Sequence, residues 1–399
     1  MNCQNTSKLK TISIFLILLF LGSMTVYTAH AEAYSSASVF SFGQGNGNVQ
    51  FNHPGDVAIG PSGNVYIADT DNNRIQELTS DGNFITKWGF KGDGDGQFNA
   101  PIGIAIDSSG NIYICDKGNN RIQKFDSNGI YLTQWGALGT ANSQFDNPSD
   151  VAVDSSGNVY VADTNNNRIQ KFGSNGEFIS QWGIPGKDKG QLTNPYSIAV
   201  SSSGDIYVGD MKVRVQKFDS NGNFLTQVRS QDILNGQNDD PWGIALDVND
   251  SVYVVDKYHD RIEKFASDGA PLSQWGTTGS GNGQLLDPSG IAVDSNDNVY
   301  VAEFNNNRIQ KFAFTTDDPV ITPTEQPTEK LTELEEPGSI MDFGVKAVTY
   351  VTFVITNMGN NKPSLLDKIS VVVGIVASLI AIFEVFPPIY RKINEKRKK

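Results

Sequence analysis

Cysteine and histidine are almost missing from this chain. Of two cysteines, Cys3 lies in the leading segment and Cys115 stands alone, so no disulfide framework can form and stability must come from packing. Cys115 sits where other repeats have Ala68, Ala162 or Ala302, which reads as a small buried residue. The three histidines are His30, His53 and His259, and His30 belongs to the leader. That leaves too few nitrogen and sulfur donors for a catalytic zinc site. No Ser-His-Asp order or nucleophile motif occurs either. Basic residues are scarce as well. Residues 34–315 carry 32 acidic and 19 basic side chains, which accounts for the whole formal net charge of −13. Nucleic-acid affinity rests on Lys and Arg neutralising phosphates, so this balance argues against that partner.

Repetition is what the chain has in abundance. One proline recurs at 54, 101, 148, 195, 241 and 288, and one arginine at 74, 121, 168, 214, 261 and 308. The steps are 47 residues, with a single 46 where the fourth copy loses one residue between Asp210 and Arg214. A fixed period of this size marks a repeat architecture. In the third copy the runs 150–154, 158–163, 168–172 and 177–182 are β-branched or aromatic and bounded by Gly, Asn, Asp and Ser, which predicts four strands. Ser-Gly-Asn and Asn-Gly turns accept the positive φ of hairpins, so each copy is an antiparallel meander.

Six such meanders predict an all-β fold, a six-bladed β-propeller. The last copy runs into Thr-Thr-Asp-Asp-Pro after its third strand, and the missing fourth strand occurs at the other end as Val39-Phe-Ser-Phe42-Gly43. The N-terminal strand is therefore expected to pair beside 308–312 and close the ring.

The run Asp163-Thr-Asn-Asn-Asn-Arg168-Ile-Gln-Lys-Phe172, preceded by Pro-Ser-Asp-Val-Ala-Val-Asp, resembles the NHL repeat. The resemblance covers residues 34–314 in six copies and implies the propeller fold. It also brings functional precedents. Some NHL relatives bind RNA on one propeller face, which the acidic balance argues against here. An amidating lyase of this fold holds zinc through histidines, and this sequence lacks them. Calcium hydrolases of related six-bladed folds line the channel with acids, where only Asp56 and Asp150 stand ready. Propeller sensor domains of some bacterial receptor kinases lie outside the membrane, but no kinase follows here.

Outside the repeats the sequence predicts a membrane topology. Residues 1–31 read as a secretory signal peptide with the Ala29-His-Ala31 cleavage pattern. The propeller domain spans 32–315. Residues 316–340 form an acidic linker rich in Pro, Thr and Glu, and 341–368 a juxtamembrane segment. Residues 369–390 are long and apolar enough for a transmembrane helix. Six basic residues among the last nine, 391–399, place the tail in the cytoplasm and the propeller outside.

Function should lie on the face bearing the long loops, from fourth to first strand and from second to third, because binding residues gather on loops held by a rigid scaffold. Six repeated pairs are read as fold-serving and equivalent: Asp69 with Arg74, Asp116 with Arg121, Asp163 with Arg168, Asp210 with Arg214, Asp256 with Arg261 and Glu303 with Arg308. Trp88, Trp135, Trp182 and Trp275 are read as packing. The residue after each repeated proline (Gly55, Ile102, Ser149, Tyr196, Trp242, Ser289) is expected at the mouth of the central channel. Its two large aromatics fall in copies four and five, whose Asn-rich loops are also altered. Tyr196, Trp242, Met211, Lys212, Tyr258 and His259 are thus expected to form one ligand-binding patch for a peptide, protein or glycan. A propeller enzyme, a lyase or hydrolase with a channel metal, is the competing expectation. No cofactor is expected; Asp93-Gly-Asp95-Gly resembles half a calcium loop without its bidentate Glu. Asn249-Asp-Ser251 fits a glycosylation acceptor.

Overall fold

The computed structural model describes residues 38–43, 48–211, 214–228 and 241–313. The expected signal peptide, linker, juxtamembrane segment, transmembrane helix and tail lie outside the described residues, as does Lys212. No helix among the described residues is long and apolar enough to cross a membrane.

The six predicted meanders are six four-stranded antiparallel sheets. In blade three the strands run Pro148–Val153, Val159–Asp163, Arg168–Phe172 and Phe178–Trp182, from the channel outwards. Each inner strand starts at the repeated proline, two to three residues earlier than the hydrophobic run suggests. Proline fits there because a bulge follows it and its missing N–H breaks no regular ladder. Every second strand is buried along its whole length, whereas outer strands alternate half-buried and exposed positions. This gradient from two covered faces to one explains why the second strand reads Val-Tyr-Val-Ala and the outer one Phe-Ile-Ser-Gln-Trp.

The ring closes as expected. Ser38–Phe42 pairs antiparallel with Arg308–Ala313, with Phe42 opposite Ile309 and Val39 opposite Phe312. Phe42 packs into one cluster with Val57 and Leu78 of blade one and Tyr300 and Ile309 of blade six. The other hydrophobic clusters likewise straddle neighbouring blades, so no blade buries its faces alone. The Trp series is packing: Trp88 lies on Gly129 and Phe125 of the next blade, and Trp135 on Gly176 and Phe172. Cys115 is a buried free thiol, with its acidity suppressed by burial and by the nearby Asp150 and Asp56 carboxylates.

Candidate functional site

Two layers occupy the long-loop face. The outer one is the repeated acid–arginine pair, which binds the loops to the blades. Arg168 donates Nε to Asp163 at 2.7 Å, Nη1 to the Thr140 carbonyl and the Gln181 amide oxygen, and Nη2 to the Ala141 and Gln144 carbonyls. All five guanidinium N–H groups are used. The Asp163 carboxylate also accepts from Asn166 and Gln170 and from the Asp146 backbone N–H. The same ion pair recurs between Asp69 and Arg74, Asp116 and Arg121, Asp210 and Arg214, and Glu303 and Arg308.

The pairs differ in detail, and the expected equivalence is corrected in blade five. Arg74 donates Nε to Asp69 at 2.7 Å and Nη2 to the Gln50 carbonyl at 2.6 Å. Its side chain is 20% exposed, against 14% or less for the other five arginines. In blade five Arg261 pairs with Asp256 and also with Glu263, which replaces the glutamine of the other blades. The Asp93-Gly-Asp95 turn belongs to this layer: its Asp93 and Gly94 carbonyls accept from Arg121, so oxygens suited to a calcium ion face a guanidinium.

The inner layer is the channel mouth, where one set of side chains breaks the six-fold pattern. Tyr196 of blade four and Trp242 of blade five meet with ring centroids 3.8 Å apart and planes at 39°. The Lys257 ammonium lies 3.7 Å from the Trp242 centroid. Two groups this close to one centroid must take opposite faces, so the indole is sandwiched. Lys117 of blade two reaches across the mouth to within 3.3 Å of the Tyr196 hydroxyl. On the far side Lys257 approaches Phe304 of blade six, whose ring stacks on His53 of blade one at 4.3 Å and 11°. His53 Nδ1 in turn meets Asp71 at 2.6 Å. Lys117 and Lys257 thus flank the paired rings of Tyr196 and Trp242.

Beneath them lies a cavity of about 70 Å³ lined by Asp56, Asp150, Tyr196, Trp242 and the inner strands. Asp56 accepts from the Ile104 N–H at 3.1 Å and Asp150 from the Ile198 N–H at 2.8 Å, so each carboxylate ties its inner strand to the next blade. The neighbouring glycines make room: a Cβ on Gly103 would come within 2.6 Å of the Asp150 Cα, and one on Gly290 within 2.2 Å of an Asp56 oxygen. Burial pushes the Asp150 carboxyl up to about 7, and burial with the facing Asp150 charge holds Asp56 well above the usual range. The opposite face has a wider depression of about 620 Å³ lined by hairpin turns. Its acids are committed to turn geometry, Asp294 accepting from Asn296, Asn298 and Tyr300 as its counterparts do in other blades.

Residues 51–78, 98–125, 145–172 and 285–312 match the NHL repeat family. The chain carries NHL repeats. The matched segments are blades one, two, three and six of the NHL propeller. Blades four and five, which supply Tyr196 and Trp242, fall outside them. No curated protein matches the sequence. Among solved structures, a streptogramin B lyase aligns at 16% identity and TM-score 0.53, covering 71% of this chain and all of that one. Virginiamycin B lyase from Staphylococcus aureus aligns at 16% and 0.51, covering 70% of this chain and all of that one. A gluconolactonase from Xanthomonas campestris aligns at 14% and 0.54, covering 71% and 92%. At these identities the likeness shows the fold alone.

Of the expected patch residues, the NHL propeller brings Tyr196 and Trp242 together. His259 turns into its own blade, with Nδ1 2.7 Å from Asp256. His53 and His259 are thus held by carboxylates of different blades, an arrangement that does not build a shared zinc site. Among the described residues no group of three or more His, Cys, Asp or Glu is placed to hold a metal. Tyr258 is 67% exposed and stands edge-on to His259, and Met211 is 47% exposed on its loop. Sequence reasoning passed over Lys117, Phe304 and His53. The signal for two of them lay in the column after the repeated acid: Thr70, Lys117, Thr164, Met211, Lys257 and Phe304.

Proposed function

We propose that this protein is a binding module, held outside the cell membrane, that takes a protein, peptide or glycan ligand at the channel mouth. One observation carries the reading. The Tyr196–Trp242 stack joins the two aromatics of a column that otherwise holds Gly55, Ile102, Ser149 and Ser289, and it does so where the loops of blades four and five also change. Aromatic side chains with polar tips at a concave opening suit recognition more than packing. The location outside the membrane rests on the leader, the apolar run at 369–390 and the basic tail. Peptide and glycan arrays probed with the full chain test the proposal. Ligand signals that vanish in Tyr196→Ala and Trp242→Ala support it; signals unchanged in both variants refute it.

A second reading is favoured by Asp150. A carboxyl pushed up to about 7 in a channel cavity is suited to general acid–base work, so a lyase or hydrolase acting there is the alternative. Against it stand the backbone N–H groups that both carboxylates accept from. Turnover of a lactone or ester panel that disappears in Asp150→Asn would favour the enzyme.

A further inference from the structure

We infer that Asn249 is a glycan attachment site, placed on the hairpin-turn face and away from the channel mouth. The inference rests on the propeller lying outside the membrane, since glycan transfer to asparagine takes place there.

That transfer needs a hydroxyl two residues on and no proline between. Asparagine is plentiful in residues 34–315, yet Asn249-Asp250-Ser251 alone meets both conditions; Asn147-Pro148-Ser149 is barred by its proline. Asn5-Thr6-Ser7 belongs to the leader. The triplet falls in the hairpin turn between Pro241–Leu246 and Val252–Asp256, where Asn249 is exposed. Its backbone N–H donates to Asp247 at 3.0 Å, while its carboxamide has no hydrogen-bond partner among the described residues.

The fold does not ask for this triplet. Blades one, two and three read Ser62-Gly63-Asn64, Ser109-Gly110-Asn111 and Ser156-Gly157-Asn158 at the same turn, and blade five reverses the two polar residues. In the other order the asparagine serves the blade. The carboxamides of Asn64, Asn111, Asn158 and Asn298 donate to Glu77, Asp107, Asp154 and Asp294 at 2.7–2.8 Å. Blade five gives up that bond, and Lys264 reaches the Asp247 carboxylate at 3.1 Å. The turn keeps its shape without the Asn249 carboxamide. Asp250 takes φ +58°, and its carboxylate accepts from the backbone N–H and hydroxyl of Ser202 in blade four. Asn249 is therefore free to carry a bulky polar group.

The step balances with a lipid-linked sugar donor. Asn249 Nδ2 bonds to the anomeric carbon of an oligosaccharide carried on a lipid phosphate or pyrophosphate. The bond from that carbon to the phosphate oxygen breaks, the lipid phosphate leaves, and Nδ2 gives up one proton. No electrons change hands.

Mass spectrometry of the full chain purified from its own cells tests this. The tryptic peptide 230–257 should carry added sugar mass on Asn249 in at least half of the copies, removed by chemical deglycosylation. Asn249→Gln and Ser251→Asn should each lose it, and Ser251→Thr should keep it. Ser251→Asn should melt like the bare parent, because it restores the residue of four other blades. Protease added to intact cells reads the location separately. A chain that the protease cleaves but whose Asn249 is bare overturns the inference and leaves the outside location standing. A chain that is protected and bare overturns both. Sugar mass that persists in Asn249→Gln places the glycan elsewhere and also overturns the inference.

Discussion

Tyr196 and Trp242 come from neighbouring blades yet stack 3.8 Å apart, with Lys257 on the far face of the indole. Rings in contact across a blade boundary should be energetically coupled. A double-mutant cycle with Tyr196→Ala and Trp242→Ala, read by denaturant unfolding, should give an interaction energy of ~0.5–1.5 kcal/mol. Strict additivity would mean that the stack contributes nothing to the fold.

The acid–arginine layer should be unforgiving. Arg168→Ala leaves the Asp163 carboxylate buried without its main partner and should cost ~3–5 kcal/mol. Arg168→Lys should cost nearly as much, because one ammonium cannot serve Asp163 and three loop carbonyls in a fixed fork. Arg74→Lys should cost less than Arg168→Lys, since the Arg74 side chain is 20% exposed against 9% for Arg168. Chemical denaturation checks all three. Lysine behaving like the parent at 168 would show that charge alone matters at this site.

Closure by the leading strand has its own consequence. Removing residues 1–43 takes away the partner of Arg308–Ala313 and the buried Phe42. The loss should be at least the ~3–5 kcal/mol of one buried phenylalanine, seen as a lower Tm and a broader transition. An unchanged melt would mean that the ring does not depend on this latch.

The repeat register made the blades, the latch and the acid–arginine pairs legible, because each is written six times with the same spacing. The greater exposure of Arg74 was not, since what covers a guanidinium depends on the path of the loop and not on the repeated letters. The strand starts were also less clear: Pro148 looks like a turn residue until the bulge behind it is seen. The mouth was half legible. Tyr196 and Trp242 stood out as the two aromatics in a column otherwise of Gly, Ile and Ser, but Lys117 is two blades from Tyr196. A contact across a channel leaves no trace in sequence spacing. The weight of Asp56 and Asp150 was hidden for the same reason, since their burial comes from facing blades.

Those two carboxylates make stability depend on pH. Asp150 rises from an unfolded value of 3.8 to about 7, so the folded state holds a proton that the unfolded chain has released. Its stabilising contribution is complete below about pH 4 and is lost as pH climbs through 7, by an amount of the order of a few kcal/mol. Asp150→Asn keeps an acceptor for the Ile198 N–H and should flatten this part of the profile. Denaturation midpoints between pH 4 and 8 decide; a parental profile in Asp150→Asn would show that the carboxyl stays ionised throughout.

The most direct test sets the two faces of the propeller against each other. Binding of an array-identified ligand is measured for the parent, for Tyr196→Ala and Trp242→Ala at the mouth, and for Val248→Ser and Asn296→Ala on the hairpin-turn face. Loss of at least tenfold in affinity at the mouth, with parental affinity in the other two, is the expected result. Retained affinity at the mouth with loss on the hairpin-turn face would place the ligand at the other end of the channel and contradict the account.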